Sequence, residues 1–152
     1  MKAQLQRIWD EVGRPMIQRP KRVQVAALCT RQTKSGHEVL LVTSRDTGRW
    51  IIPKGWPIDG LDGAGTALQE AWEEAGVREA KAKKEPVGHF TYDKVLKDGS
   101  IEAVLTSVYH LRVTKLLDDF PEADQRQRSW VTPKIAAERV DEPELKALLR
   151  HL

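Results

Sequence analysis

The chain has 152 residues, of which 40% are hydrophobic and 31% are charged. This composition is typical of a single folded domain with its own hydrophobic core, and it excludes a disordered or fibrous chain. The formal net charge of +3 is mildly basic, but no basic block reaches the length of a nucleic-acid-binding arm.

The first 20 residues are predicted to form an extension ahead of a folded domain at residues 21–152. Apolar residues at helical spacing predict a short amphipathic helix over residues 1–14, and two prolines then predict an extended connector. The start has no apolar stretch long enough for a secretion signal, and no later stretch approaches membrane-spanning length. We therefore expect a cytoplasmic protein without a membrane partner.

Two strands are predicted next, "RVQVAALCTR" and "HEVLLVTSR", joined by a hairpin-like turn at residues 34–36. Cys29 is the only cysteine and lies in the apolar part of the first strand, so we expect a buried core thiol and no disulfide. A third short strand is predicted over residues 50–52. It leads into "PKGWPIDGLDGAG", whose two prolines and four glycines predict a loop of defined shape.

The clearest helix is predicted over residues 64–75, with Gly76 just beyond its C-terminal end. One side of this helix is apolar and is expected to pack on the sheet; it carries Ala64, Leu68, Ala71 and Ala75. The segments 87–95 and 100–113 flank Lys97-Asp98-Gly99, which predicts a second hairpin.

Two further helices are predicted near the end of the chain. Thr132 followed by Pro133 predicts the start of the first, directly after a short strand. The last helix is expected to begin at an Asp141 cap and to bury four leucines on one side, namely Leu145, Leu148, Leu149 and Leu152. Together the elements predict one α/β domain of the α+β type.

Three glutamates, Glu70, Glu73 and Glu74, lie on one face at the C-terminal end of the predicted helix. Like charges at these spacings cost about 0.2–0.5 kcal/mol each, and the negative end of the helix dipole adds a comparable penalty. A divalent cation would compensate, because Mg²⁺ or Mn²⁺ binds carboxylate oxygens and keeps water and phosphate oxygens as further ligands. The alternative is a solvated acidic face with Arg78 or Lys81 nearby.

The segment "PKGWPIDGLDGAGTALQEAWEEAGV" resembles the signature of the Nudix hydrolases. In that signature a glycine, five residues, a glutamate and seven residues precede Arg-Glu-aliphatic-x-Glu-Glu-x-Gly-aliphatic. Gly55 opens the match, the three glutamates fall in place, and Gly76-Val77 close it. The departures are Leu61 for the first glutamate and Gln69 for the arginine. In the family these two groups brace the loop against the helix, so losing both leaves no unpaired charge.

The resemblance extends over roughly residues 21–140 and is most similar to the diphosphoinositol polyphosphate phosphohydrolases and the diadenosine polyphosphate hydrolases. It implies an α/β/α sandwich with a mixed sheet. It also implies a metal-dependent hydrolase that cleaves a phosphoanhydride bond in a small polyphosphate by attack of water on phosphorus, with Mg²⁺ or Mn²⁺ as cofactor.

The resemblance also implies roles for individual residues. Glu73 and Glu74 match metal ligands, and Glu70 matches a ligand or general base. The backbone carbonyl of Lys54, together with Gly55 after it, matches the position of a main-chain metal ligand. Some Nudix proteins use a further acidic ligand from a later loop; Glu122 and Asp124 are the candidates for it here, although acids in a solvated loop are more often surface charges.

Basic and aromatic residues near the loop are candidates for substrate binding. Each basic side chain alone is more often a surface charge, but as a group they favour a polyphosphate: Arg22, Arg45, Arg49 and Lys54, with Lys94 and Lys97 at the second hairpin. Trp56 is placed either to stack on a nucleobase or to shield the loop. Trp50 and Trp130 are expected in the core.

Two functions stay open at this point. The first is the hydrolase, acting on a diphosphoinositol polyphosphate or a dinucleoside polyphosphate. The second is a catalytically weak Nudix-fold module that senses a nucleotide or phosphate, and the changes at Leu61 and Gln69 give it weight. No nucleic-acid partner is expected, since no aromatic–basic motif is present. The oligomeric state, monomer or homodimer, stays open.

Overall fold

In a computed structural model of the chain, the described backbone runs from residue 22 to residue 152, and the described side chains begin at residue 23. The predicted N-terminal helix and connector over residues 1–20 lie outside the described residues. The elements that follow are β1 (Arg22–Thr33), β2 (Gly36–Thr43), β3 (Trp50–Ile51), β4 (Lys54–Gly55), α1 (Gly63–Ala75), β5 (Val77–Ala82), β6 (Gly88–Val95), β7 (Ile101–Leu116), β8 (Arg128–Val131), α2 (Pro133–Arg139) and α3 (Pro143–Arg150). Over residues 22–152 no helix has the length and apolar character that crossing a membrane requires.

The strands form one mixed sheet, as the resemblance to the Nudix hydrolases implies. At its centre β1 and β7 run parallel, in a register that extends from Arg22 beside Val104 to Thr30 beside Arg112. The other pairings are antiparallel and place β2, β3 and β8 on one side of this pair and β5 and β6 on the other. A parallel pair needs a long crossover connection, and here that connection includes α1.

Both faces of the sheet are covered, so the central strand is buried on both sides. Alternate residues of β1 face opposite cores: Val25 and Cys29 pack towards α1, whereas Ala26 and Leu28 pack towards α2 and α3. Cys29 is fully buried, and burial raises the pKa of its thiol to about 12, which confirms the predicted core role. The predicted α/β/α sandwich is the observed arrangement.

Both predicted hairpins are present. β1 pairs with β2 across the turn before Gly36, and β6 pairs with β7 across a turn in which Gly99 has a φ of 84°. β5 was not predicted, because its sequence "VREAKA" has several exposed residues and a weak apolar pattern. It is held by pairing with β7, a long-range contact that the local sequence does not show.

Helix α1 has defined ends. The Asp62 carboxylate accepts a hydrogen bond from the Gly65 backbone N–H at 2.7 Å and caps the N-terminus. At the C-terminus Gly76 adopts a φ of 74°, as its predicted position requires. The buried alanines Ala71 and Ala75 lie against the sheet, which confirms the predicted packing side.

The start of the last helix differs from the prediction. Thr132 caps α2 as expected, accepting from the Ile135 N–H at 3.2 Å. Helix α3, however, is preceded by Glu142 and not by the predicted Asp141 cap, and no side-chain hydrogen bond caps it. The reason is that the Glu142 carboxylate is turned to accept a hydrogen bond from Arg49 at 3.0 Å.

The predicted burial of the four leucines of this helix is correct in part. Leu145 and Leu149 are fully buried, and Leu148 packs half-buried against the same core. Leu152 is 43% exposed, so its predicted burial is wrong. It lies beyond Arg150, where α3 ends, and therefore does not continue the apolar side of the helix.

We expect Gly76→Ala to lower the free energy of unfolding by roughly 2–4 kcal/mol. An alanine would be strained at this positive φ, and its Cβ would lie 2.5 Å from the Leu117 carbonyl oxygen. Gly99→Ala is the matched control, with a φ of 84° and no atom within 4 Å of the added Cβ. It should cost about 1 kcal/mol. Urea unfolding measures both values, and equal losses would contradict a role for the close contact.

Candidate functional site

A cleft of about 900 Å³ opens beside α1 and gathers most of the predicted site residues. Its walls come from the start of β1, the segment after β2, the β3–β4 region and the loop that follows, α1, the end of β6, and the turn before β8. The cleft therefore depends on contacts between segments that are distant in the sequence.

Gly55 allows the carboxylate of Glu70 to lie directly against the backbone of β4. A Cβ at Gly55 would lie 2.4 Å from Glu70 Cδ and 2.4 Å from its Oε1, so the Glu70 carboxylate would have to move. Any larger residue at this position would displace the carboxylate. The first glycine of the motif is thus required by the position of its first helix glutamate.

Glu74 lies on the same wall and is almost completely buried, with 4% of its surface exposed. Its Oε1 accepts a hydrogen bond from the Lys54 backbone N–H at 3.4 Å and lies 3.5 Å from Nη2 of Arg126. The alternative of a solvated acidic face therefore does not describe Glu74. Arg78, the cation expected to accompany that alternative, lies over the ring of Trp72 instead.

Burial raises the pKa of both Glu70 and Glu74. Burial, the hydrogen bond with Glu74 and the charges of Glu74, Glu73 and Glu122 together raise the pKa of Glu70 to about 8. Burial also raises the pKa of Glu74, and the nearby Arg126 opposes this shift. Without a bound cation the Glu70–Glu74 pair therefore holds a proton on Glu70 near neutral pH and does not carry its full charge.

The remaining acidic candidates are placed differently from one another. Glu122 lines the cleft, whereas Asp124 is exposed and stays outside the described lining. Glu73 is half-buried and also lies outside that lining. Its backbone carbonyl accepts a hydrogen bond from the Glu122 N–H at 3.0 Å, so Glu73 fastens the later turn to the end of α1.

Three of the predicted cations line the cleft and already have neighbours. Arg45 is 56% exposed and lies 3.7 Å from Glu122. Arg49 binds Glu142 at 3.0 Å. Lys54 lies with its Nζ 5.0 Å from the centre of the Tyr92 ring, and burial, followed by the charge of Arg49, lowers its pKa to about 8.

The other predicted cations differ in their relation to the cleft. Lys94 lines it, whereas Lys97 is exposed and lies outside the described lining. The side chain of Arg22 lies outside the described residues, although its backbone begins β1.

Aromatic residues line part of the cleft. Trp56 is half-buried there, and Tyr92 donates a hydrogen bond from its hydroxyl to Gln24 Oε1 at 2.6 Å. Gln24 and Tyr92 were not predicted, because they belong to separate strands with no local motif. Trp50 and Trp130 are half-buried and pack against the two cores, as expected.

Arg126 is a further site residue that the sequence did not reveal. Its side chain is only 6% exposed although it comes from the turn before β8. It donates from Nε to Glu122 Oε1 at 2.9 Å and from Nη1 to the Thr43 carbonyl at 2.9 Å, while Nη2 faces Glu74. In "DQRQR" the sequence shows only a polar loop, so no local signal marks this residue.

The two departures from the motif lie on the other side of α1. Leu61 and Gln69 line a separate cavity of about 570 Å³ together with Trp72. Leu61 packs over the first turn, since a Cβ at Gly65 would lie 3.3 Å from Leu61 Cβ. Apolar contact and the Asp62 cap therefore hold the loop to the helix where the family uses a charged pair.

The donor set fits a divalent cation that completes its coordination with non-protein ligands. Among residues 22–152 no group of three or more His, Cys, Asp or Glu side chains is arranged to hold a metal ion. Glu70 and Glu74 nevertheless meet on one wall, with Glu122 also on the lining. Mg²⁺ commonly takes one or two carboxylates and fills its other positions with water and phosphate oxygens.

Comparison with known proteins gives a match across most of the chain. The NUDIX domain family model matches residues 20–152. Diphosphoinositol polyphosphate phosphohydrolase 3-beta of Bos taurus is 32% identical over 107 residues, which are 69% of this chain and 60% of that protein. Nudix hydrolase 12, mitochondrial, of Arabidopsis thaliana is 33% identical over 104 residues, which are 66% of this chain and 51% of that protein. The chain thus spans no more than about 60% of these curated relatives.

Solved structures share the same fold. An Ap4A hydrolase of C. elegans is 23% identical with a TM-score of 0.58, covering 85% of this chain and 93% of that one. The dihydroneopterin triphosphate pyrophosphohydrolase of E. coli is 12% identical with a TM-score of 0.65. The similarity covers 88% of this chain and 95% of that one. At these identities the similarity concerns the fold alone, and it agrees with the sandwich and mixed sheet described above.

We expect the metal-free protein to lose stability as the pH rises from about 5 to about 8. The folded state holds a proton on Glu70 that the unfolded chain releases near its ordinary pKa of 4.5, because the folded pKa is about 8. Glu70→Gln should flatten this dependence, whereas Glu79→Gln, on exposed β5, should not. Urea unfolding in EDTA at several pH values measures it. Identical slopes for the wild type and Glu70→Gln would contradict the electrostatic description.

Proposed function

The chain belongs to the Nudix family, and we propose that it is a hydrolase that cleaves a phosphoanhydride bond in a small polyphosphate with the help of Mg²⁺ or Mn²⁺. The cleft beside α1 is the proposed site, and its acidic wall is the proposed metal site. Glu70 and Glu74 are the central ligands in this proposal, with Glu73, the Lys54 carbonyl beside Gly55, and Glu122 as further candidates.

The observation that carries the proposal is the close placement of a half-buried carboxylate, Glu70, and a buried one, Glu74, on one cleft wall. Gly55 lets Glu70 approach the backbone, and Glu74 lies 4% exposed beside it. Burial and mutual repulsion make this arrangement unfavourable by itself. A divalent cation in the cleft would offset that cost. A purely structural role for the glutamates does not explain why the cost is tolerated.

The protein side chains have separate tasks in the proposed reaction. A bound divalent cation lowers the pKa of coordinated water and neutralises phosphate oxygens. Glu70 is the group proposed to accept the proton of the attacking water, because it lies in the cleft and its raised pKa gives its carboxylate form a high affinity for a proton. Arg45, Lys54 and Lys94 are the cations on the lining that we propose to bind the phosphates.

Charge on the lining favours one of the two substrate classes. The described lining has five basic side chains, Arg45, Arg49, Lys54, Lys94 and Arg126, and five acidic ones, Asp46, Glu70, Glu74, Asp93 and Glu122. An inositol pyrophosphate carries many phosphates and calls for an excess of basic groups, which this lining does not provide. The aromatic residues Trp56 and Tyr92 suit a nucleobase. We therefore place a dinucleoside polyphosphate first.

A diphosphoinositol polyphosphate is the second candidate substrate. It is favoured by the names of relatives that are 32% and 33% identical to this chain. Those relatives are longer than the matched region, which covers 60% of each. Their substrate therefore comes to this chain as a proposal, and the same assay distinguishes it from the first.

We expect the protein with Mg²⁺ to hydrolyse at least one member of a panel of diadenosine polyphosphates, inositol pyrophosphates, nucleoside triphosphates and nucleotide sugars. Glu70→Gln should lower kcat by roughly 10²–10⁴-fold, because the proton acceptor is lost. Gly55→Ala should also lower it strongly, because its Cβ would displace the Glu70 carboxylate. Phosphate and nucleotide release measure turnover, and circular dichroism confirms folding.

Glu79→Gln is the matched control, since it removes an exposed carboxylate outside the cleft and should retain full turnover. Tight binding of a panel member without turnover under either metal would favour the sensing module over the enzyme. Turnover that survives Glu70→Gln unchanged would contradict the role given to that residue. Preference for inositol pyrophosphates would overturn the order of the two substrates.

A further inference from the structure

We propose that Arg126 is a positioning residue that acts as the internal counter-ion of the acidic cluster. In this inference it holds Glu74 and Glu122 together while no divalent cation is bound, and it gives up Glu74 when such a cation binds. The inference rests on one part of the proposed function, namely that the acidic cluster binds a divalent cation. It assigns to the later turn a role in setting the metal affinity of the site.

The contacts of Arg126 join the three segments that form the acidic wall. Nε donates to Glu122 Oε1 at 2.9 Å within the same turn, and Nη1 donates to the Thr43 carbonyl at the end of β2 at 2.9 Å. Nη2 lies 3.5 Å from Glu74 Oε1 on α1. One guanidinium therefore fixes the relative positions of α1, β2 and the turn.

Because Glu74 is buried, its carboxylate needs a positively charged partner, and Arg126 is placed to provide it. The side chains of Arg126 and Glu74 are each 6% exposed. Arginine keeps its charge in proteins, and a buried carboxylate left without a partner is strongly unfavourable. Burial raises the pKa of Glu74, and the charge of Arg126 lowers it. Arg126 thus supplies positive charge at the place where a divalent cation is expected.

The distances show which contact would be released. The two contacts at 2.9 Å are hydrogen bonds, whereas the 3.5 Å contact to Glu74 is longer than a good charge-assisted hydrogen bond. Glu122 and Thr43 can keep the guanidinium in place after Glu74 turns to a cation. Because Arg126 stays nearby and carries positive charge, it should weaken the binding of any second cation.

Arg128, two residues further on, provides a matched comparison. Its side chain is 19% exposed, and its Nη1 donates to the carbonyls of Ala75 and Leu117, both at 2.9 Å. Its Nη2 binds Asp118 at 2.8 Å. Arg128 therefore supports the end of α1 without contacting Glu74 or Glu122, so replacing it should disturb the structure and leave metal affinity unchanged.

The test compares Arg126→Gln, Arg126→Lys and Arg128→Gln with the wild type by calorimetric titration of the metal-free proteins with Mn²⁺. We expect Arg126→Gln to bind Mn²⁺ about tenfold or more tightly, because a competing charge is removed. Arg126→Lys retains the charge and should bind like the wild type. Arg128→Gln should also bind like the wild type, although its Tm is lower.

Thermal unfolding in EDTA and in Mn²⁺ gives a second readout. Arg126→Gln should have a lower Tm than the wild type in EDTA and should gain more from Mn²⁺, whereas Arg128→Gln should gain the same as the wild type. Unchanged or weaker Mn²⁺ binding by Arg126→Gln would overturn the inference alone. Absence of Mn²⁺ binding by the wild type would overturn both it and the proposed function.

A measurement on the unaltered protein applies if Arg126→Gln does not fold. The side-chain Nε–H signal of Arg126, assigned by its absence in Arg126→Lys, is followed by NMR during titration with Mg²⁺. We expect it to shift and to saturate together with the backbone signal of Glu74. A signal that does not move while Mg²⁺ binds would show that Arg126 plays no part in metal binding.

Discussion

The repulsion between the half-buried Glu70 and the buried Glu74 in the C-terminal half of α1 is the constraint on which the arrangement of the site depends. Glu70 and Glu74 lie where the helix dipole is already negative, and both have raised pKa values. The surrounding structure holds them there through a glycine that leaves room for Glu70 and a buried arginine that faces Glu74. We propose that a divalent cation completes this arrangement.

The fold brings these groups together from separate parts of the chain. The parallel pairing of β1 and β7 requires a crossover, and α1 lies on the sheet within it. The end of β2 and the turn before β8 meet beside α1, because β2 and β8 are paired strands. The acidic wall therefore combines one local motif with contacts that only the folded sheet creates, and both are needed for the cleft.

Local sequence signals accounted for much of the fold. Helix α1, its Gly76 end, both hairpins and the Thr132 cap were predictable, because each depends on residues close together in the chain. The predicted Asp141 cap was wrong: α3 is preceded by Glu142, whose carboxylate binds Arg49, a residue distant in the sequence. The predicted burial of Leu152 was wrong because α3 ends at Arg150. Within the site the motif revealed Gly55 and the glutamates, but Arg126, Gln24 and Tyr92 depend on long-range pairing and carry no local signal.

Proton release on metal binding tests the central claim most directly. The metal-free protein is titrated with Mg²⁺ at pH 7 in two buffers of different ionisation enthalpy, and the difference in heat gives the number of protons released. We expect binding with net release of protons from the Glu70–Glu74 pair, and much less release in Glu70→Gln. Binding without proton release, or no binding at all, would contradict the claim that this acidic cluster exists to hold a divalent cation.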